Sequence, residues 1–474
     1  MDETPDNRTE LNSKDKIAEL LVTAYPERGM AAFAETYSDN VFDTGRPSVE
    51  TITNGKNYRW EFDSDTGPET PSDYWDACYS AIAAANQALE AIDKLGNADG
   101  SLNGIRAEAL LARAYAHFQL VSLWSKPYNP ATADSDLGVP YVTEVEGVLV
   151  KKYKRASVAE VYKNIEADLE EGLKYITNDY KVSGYHFNVD AAKAFASTFY
   201  LSIGEWDKVL ENTSYLGSKP AVGAYIRDME ALGELGLGDQ YIDYGRSTHK
   251  TNLLMVTVNS YYFRDIADDV RFGLTYDGYQ QVYANVNPFK KAWHISFGSM
   301  NNQVLMVMPK FWEYFKIENP TAGTGVGYLN YVLFSNDEAY LNRIEALVMS
   351  NRLDEAMTEL SYYIGTRTTG YNPATDVLTL AKMKEFYPVV ADEFTPFYSI
   401  SDDQAVVLKG VLEAKRREFL HEGKRWLDIK RLNMEVVHTF KDAPAITLPK
   451  GDLRREIPLP LHAVADGLID NPKN

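Results

Sequence analysis

Apolar residues recur at three- and four-residue steps through the first and last thirds of the chain. Val158, Val161, Tyr162, Ile165, Leu169, Leu173 and Ile176 draw one continuous stripe, the pattern of a helix that buries one face. Ser157 stands just ahead of it and Glu160 three residues later, a capping box that satisfies free N–H groups at the helix start. The same signal recurs at Ser335 with Glu338 and at Ser401 with Gln404. Leu111, Ala114, Tyr115, Phe118 and Val121 form another stripe, which stops before Pro127. The spacing predicts helices over roughly 13–25, 73–95, 104–124, 157–177, 190–203, 206–216, 336–350, 353–365, 404–422 and 424–433.

Two of these pairs repeat. A shift of 147 residues lays Asp207 on Asp354, Ser214 on Ser361, Tyr215 on Tyr362 and Gly204 on Asn351. Gly and Asn both suit the tight turn between two helices. Small residues such as Ala346 and Ala356 mark close helix packing. This is the logic of tetratricopeptide (TPR) repeats, in which no pair buries its apolar face without a neighbour. The expected fold is mainly α, a TPR-like helical scaffold over 13–220 and 335–435, an interrupted array and not a regular solenoid.

The middle of the chain breaks the pattern. From Tyr241 to Phe315, 75 residues hold 16 aromatics, or 21%, against 12% overall. Short β-like runs, Leu253 to Val258 and Gln303 to Met308, alternate with Asn- and Gly-rich turns. Residues 221–334 therefore read as an irregular aromatic-rich insertion, with strands confined to about 240–335, and 436–474 as an irregular tail packed on the scaffold. Thr44 to Pro71 reads as a second loop-rich segment. Loops on a rigid scaffold are where binding groups tend to sit. By its length the chain could hold two or three domains or one large one.

Composition narrows the functions. The chain has 474 residues, 45% apolar and 24% charged, which excludes disordered, collagen-like and coiled-coil chains. No apolar run is long enough for a membrane-spanning helix. The net charge is −20, which argues against nucleic acid and polyanionic ligands. Cys78 is the one cysteine, so no intramolecular disulfide forms, and its alanine neighbours predict a buried thiol. The start, Asp2-Glu3-Thr4-Pro5, carries no leader pattern.

Catalytic motifs are missing. Gly423-Lys424 lacks the glycine spacing of a phosphate loop, and Gly323, Gly325 and Gly327 do not open a dinucleotide fingerprint. Ser299 has no second glycine for a nucleophile elbow, and the seven histidines show no metalloprotease spacing. Asp63-Ser64-Asp65-Thr66-Gly67 and Asp134-Ser135-Asp136-Leu137-Gly138 are half calcium loops without the later glutamate. No enzyme activity, metal or cofactor is expected, although 68 acidic residues leave a paired-carboxylate hydrolase open.

Several blocks, in order, resemble the SusD/RagB family of outer-membrane nutrient-binding lipoproteins. They are Arg106 to Tyr115 through Pro127-Tyr128, Asp136-Leu137-Gly138-Val139-Pro140, Arg155 with Ser157-Val158, and the Asp337 to Arg367 helix pair. Most specific is Arg416-Arg417-Glu418-Phe419-Leu420-His421-Glu422-Gly423-Lys424-Arg425-Trp426-Leu427-Asp428-Ile429-Lys430-Arg431, followed by Ile457-Pro458 and Asn471-Pro472. The family usually reads Glu-Arg-Arg where this chain has Ala414-Lys415-Arg416, and 220–330 matches little. These blocks read as structural, with Arg425, Asp428 and Arg431 in an ion-paired network that locks the last helices.

The resemblance implies a TPR-like scaffold of four units, about four helix pairs, with an irregular subdomain packed on it, 1–474 forming a single unit. It also implies a cell-surface lipoprotein that captures a nutrient, usually a glycan, and hands it to a SusC-like TonB-dependent transporter. The lipid anchor would sit on a cysteine just before Asp2, lost here with its leader, and would be the only membrane attachment. A peptide-binding TPR adaptor and a SusD-like binder of a non-glycan nutrient are the alternatives. A glycan needs flat apolar faces for sugar C–H groups and polar side chains for hydroxyls. Family binding aromatics lie in the loop before the helix that starts near Tyr74, which points to Tyr58 and Trp60 with Arg59 and Glu61 beside them. Tyr279, Tyr283 and Trp293, with Asn285 and Asn287 as polar partners, complete the expected two-segment surface.

Overall fold

Thr70 accepts the Asp73 amide and Pro71 opens the first turn of a long helix, Pro71–Leu95. Asn103–Trp124 and Val158–Tyr175 follow as its neighbours, each packed on the one before. The computed structural model describes residues 10–46, 52–145, 152–267, 270–294, 297–300 and 304–472. Helices make up 47% of the structure and strands 10%.

The repeat holds in register. Val189–Ile203 with Trp206–Asn212 and Asn336–Met349 with Leu353–Gly365 are the two copies, and Asn336–Met349 packs on both helices of the first. Gly204 and Asn351 both take left-handed backbone, at φ 79° and 58°, so each ends its helix and turns the chain. Capping boxes close at Ser157 and Ser401. At Ser335 only the serine half forms, because the Glu338 carboxylate reaches out to Lys424. The helix expected to run to 422 stops at Glu418, since His421 and Gly423 are both left-handed.

The middle is less irregular than its sequence suggests. Met229–Gly233, Leu237–Tyr244, Tyr262–Ala267 and Tyr276–Val282 are short helices. Tyr276, Tyr279 and Tyr283 recur at helical steps, a period hidden by the surrounding asparagines and glycines. The expected run at Leu253 becomes the strand Asn252–Asn259, antiparallel to Thr324–Ser335, which pairs on its other edge with Tyr314–Asn319. Leu305–Val307 realises the run near Met308. Strands also occur outside the expected window: Phe42–Asp43 pairs with Phe272–Gly273, and Val436–His438 pairs with Ile446–Leu448 in the tail. Thr44 to Pro71 contains a helix, Ile52–Tyr58.

The family-like blocks are joints of the scaffold. Arg113 makes a two-pronged pair with Asp168, at 2.7 and 2.8 Å, between adjacent helices. Arg155 donates to the carbonyls of Trp124, Leu137, Gly138 and Ile469 and to Asn471 Oδ1, which ties four blocks together. A Cβ on Gly138 would meet the Ala156 carbonyl at 2.8 Å, so only glycine fits that crossing. Arg425 pairs with Asp39, while Arg431 holds Asp428 and Glu345, and Lys415 joins Glu345. Of the network expected at the last helices, the Arg431–Asp428 pair is present, whereas Arg425 pairs instead with Asp39 of the N-terminal segment. Lys310, buried in the insertion, donates to the Glu418 carbonyl and to Glu422, which fixes the insertion onto the same motif. Cys78 is buried, and burial pushes its thiol pKa up.

Candidate ligand-binding site

A cleft of about 360 Å³ opens where the N-terminal segment, the insertion and the Arg416–Arg431 motif meet. One wall is helical. Ala32, Glu35 and Thr36 share a face of Ala31–Tyr37, and Asn54 and Asn57 share a face of Ile52–Tyr58. Asp65, Pro68 and Glu69 lie on another side, and Tyr261, Tyr262, Val270 and Phe272 to Leu274 complete that part of the lining. His421 closes the lining from the C-terminal side.

Hydrogen bonds hold these walls together. Asn54 accepts the Phe272 amide and donates to its carbonyl, each at 3.2 Å. Arg271 grips Asp43 with two donors, at 3.0 and 2.9 Å, across the Phe42–Asp43 and Phe272–Gly273 pairing. Burial raises the Asp43 pKa, but Arg271 and the amides of Lys441 and Gly45 outweigh it and hold the carboxyl below its ordinary value. Glu69 Oε1 accepts the Tyr261 amide at 2.8 Å. Glu35, buried, accepts the amides of His421 and Gly423 at 2.9 and 3.0 Å. Its pKa is nevertheless raised, because burial outweighs those bonds. Glu69 and His421 both take left-handed backbone, at φ 66° and 70°, conformations held only by their surroundings.

Among the described lining residues, buried polar atoms without a hydrogen-bond partner include one on Asn57 and one on His421. These two are the Asn57 amide oxygen and His421 Nε2, on side chains almost wholly enclosed. Burial, with Lys310 nearby, pushes the His421 pKa down to about 3, so the ring is neutral near pH 7. Tyr261, 37% exposed, is the most exposed aromatic of the described lining, with the Arg264 guanidinium 5.1 Å from its ring centroid. The arrangement suits a polar, uncharged molecule that donates and accepts hydrogen bonds and lies on a ring.

The residues expected from the sequence lie elsewhere. Tyr58 and Trp60 are buried, and the His438 ring sits between them, 4.1 Å from each. Tyr58 also stacks at 4.1 Å on Phe272, a lining residue, so this aromatic pile backs the cleft wall. Arg59, half-buried, lies over Phe272 and Phe440, and Glu61 is exposed. Tyr279 and Tyr283 pack on Phe297 in a core of their own, at 4.6 and 4.5 Å. Trp293 is buried beneath the Arg417 guanidinium, and Asn287 is buried against Thr368. Asn285, exposed, holds Arg417. The described residues therefore do not join these two segments into one aromatic platform: protein atoms already cover most of the rings. Sequence reasoning missed Asn54, Asn57 and Tyr261. The i, i+3 asparagines stood in a stretch rich in Gly and Asn that masks helical period.

The fold is a helical-repeat scaffold carrying an irregular layer with small sheets. A family model, SusD-like_3, described as starch-binding associating with outer membrane, matches residues 1–201. SusD-like protein P38 of Formosa agariphila is 21% identical over 439 residues, 85% of this chain and 80% of that protein. SusD-like protein P2 of the same organism is 25% identical over 146 residues, 31% of this chain, and the chain spans 26% of its length. Among solved structures, a SusD superfamily protein from Bacteroides thetaiotaomicron has a TM-score of 0.70 at 18% identity, covering 97% of this chain and 100% of that one. A SusD-like carbohydrate binding protein from Bacteroides vulgatus has a TM-score of 0.57 at 16% identity, covering 93% and 89%. The chain is thus similar to this family over residues 1–201, and along nearly its whole length it shares the fold of these solved structures. No helix among the described residues is long and apolar enough to cross a membrane.

Proposed function

We propose that this chain is a cell-surface binding protein that captures a glycan in the cleft and passes it to a TonB-dependent outer-membrane transporter. An N-terminal lipid would hold it at the membrane. The observation that carries the reading is the cleft itself, on a SusD-like scaffold, with an exposed tyrosine and buried amide and imidazole groups that lack partners. The family's description as starch-binding and outer-membrane associated supports it, as does the carbohydrate-binding relative of the same fold. The tyrosine ring supplies a face for sugar C–H groups, and Asn57 offers an acceptor for a sugar hydroxyl. Capture and hand-off need no bond-breaking chemistry.

A panel of soluble polysaccharides in affinity gels, run beside a peptide array, tests the reading. Retardation by at least one glycan with no peptide signal is expected. Peptide binding without any glycan retardation would favour a TPR-type adaptor.

A further inference from the structure

The lining of the cleft carries a sign. Its charged residues are Glu35, Asp65 and Glu69, and no lysine or arginine is among the described lining residues. The arginines on the insertion's side of the cleft are matched already: Arg264 pairs with Glu313, and Arg271 with Asp43 and Asp442. The whole chain adds a net charge of −20. An anionic ligand would meet repulsion here without a compensating cation.

Hydrogen-bond chemistry points the same way. The Asn57 amide oxygen is buried without a partner and accepts only. Any sugar hydroxyl donates to it, but a carboxylate or sulfate group placed against this atom, having only acceptors, cannot. We infer that the cleft takes uncharged sugars and rejects glycans bearing carboxylate or sulfate groups, an inference that rests on the glycan-binding reading above.

Titration calorimetry on the full chain tests this. The ligands are neutral hexasaccharides of glucose, xylose, mannose and galactose, set against hexamers of galacturonate and of sulfated galactose, at about 20 mM and about 500 mM NaCl. At low salt a neutral hexamer should bind at least about tenfold more tightly than either anionic one. The gap should narrow at high salt and in Asp65→Asn, which removes one repelling charge. Tighter binding of the galacturonate or sulfated hexamer than of every neutral one, at low salt, overturns the inference while leaving glycan binding intact. Binding by neither class overturns the glycan reading, and the inference falls with it.

Discussion

Trp60 lies with its indole N–H on the Tyr37 carbonyl, at 3.0 Å, and its ring flat against His438. Both faces of a buried aromatic add packing that a cavity would forfeit. Trp60→Ala should cost about 3–5 kcal/mol in chemical denaturation. Lost glycan binding with an unchanged unfolding midpoint would instead put this ring in the site. The sequence displayed the aromatic density around Tyr58 and Trp60, but not which faces protein atoms would cover; His438 arrives from 378 positions later than Trp60, too far for any local pattern to show.

Titration makes a second prediction at the same scale. His117 is buried, its Nδ1 donating to the Arg113 carbonyl and its Nε2 accepting the Val142 amide, and the second bond requires the neutral ring. Burial pushes its pKa, like that of His421, down to about 3. The unfolded chain binds these protons near pH 6.5 and the folded chain does not, so stability falls as pH drops from about 6.5 towards 3. Burial works against the Asp39 charge, but Arg416 and Arg425 outweigh it and hold its pKa below the ordinary range. That pairing is lost as pH falls through acid, which adds to the trend below about pH 4. Each neutral histidine contributes a slope of up to about 1.4 kcal/mol per pH unit. Denaturant midpoints should therefore decline steadily from pH 6.5 to 4, less steeply in His117→Gln. A flat profile would contradict the buried neutral rings.

At the scale of elements, period and capping made the long helices legible. The shift of 147 residues located two helix pairs and both of their left-handed turns. What stayed hidden were short elements stabilised from outside, such as Ile52–Tyr58, whose Gly and Asn residues favour turns on their own. Helix packing offers a sharp test. A Cβ on Gly172 would meet Leu111 Cγ at 2.6 Å, in the tight crossing of Val158–Tyr175 on Asn103–Trp124. Alanine gains up to about 1 kcal/mol of helix propensity, but overpacking costs about 1–3 kcal/mol. Gly172→Ala should therefore lower stability by about 1–2 kcal/mol. Gly233→Ala, where nothing lies within 4 Å of the new methyl, should not. A stabilised Gly172→Ala variant would mean the two helices sit farther apart than described.

Across the whole molecule, the family-like blocks converge on joints between parts. Arg155 binds the tail, Arg425 binds Asp39, and Glu422 receives Lys310 and Tyr244 from the insertion. That is why sequence similarity carried the fold and said little of the ligand: the recognisable residues face inward, while the cleft is lined largely by residues outside those blocks. The most direct measurement is calorimetric titration of the tightest-binding neutral glycan into the wild type and into Tyr261→Ala. Loss of the exposed ring should weaken binding roughly three- to tenfold while the melting temperature holds. Equal affinity in the two proteins would contradict the assignment of this cleft as the place where the glycan is held.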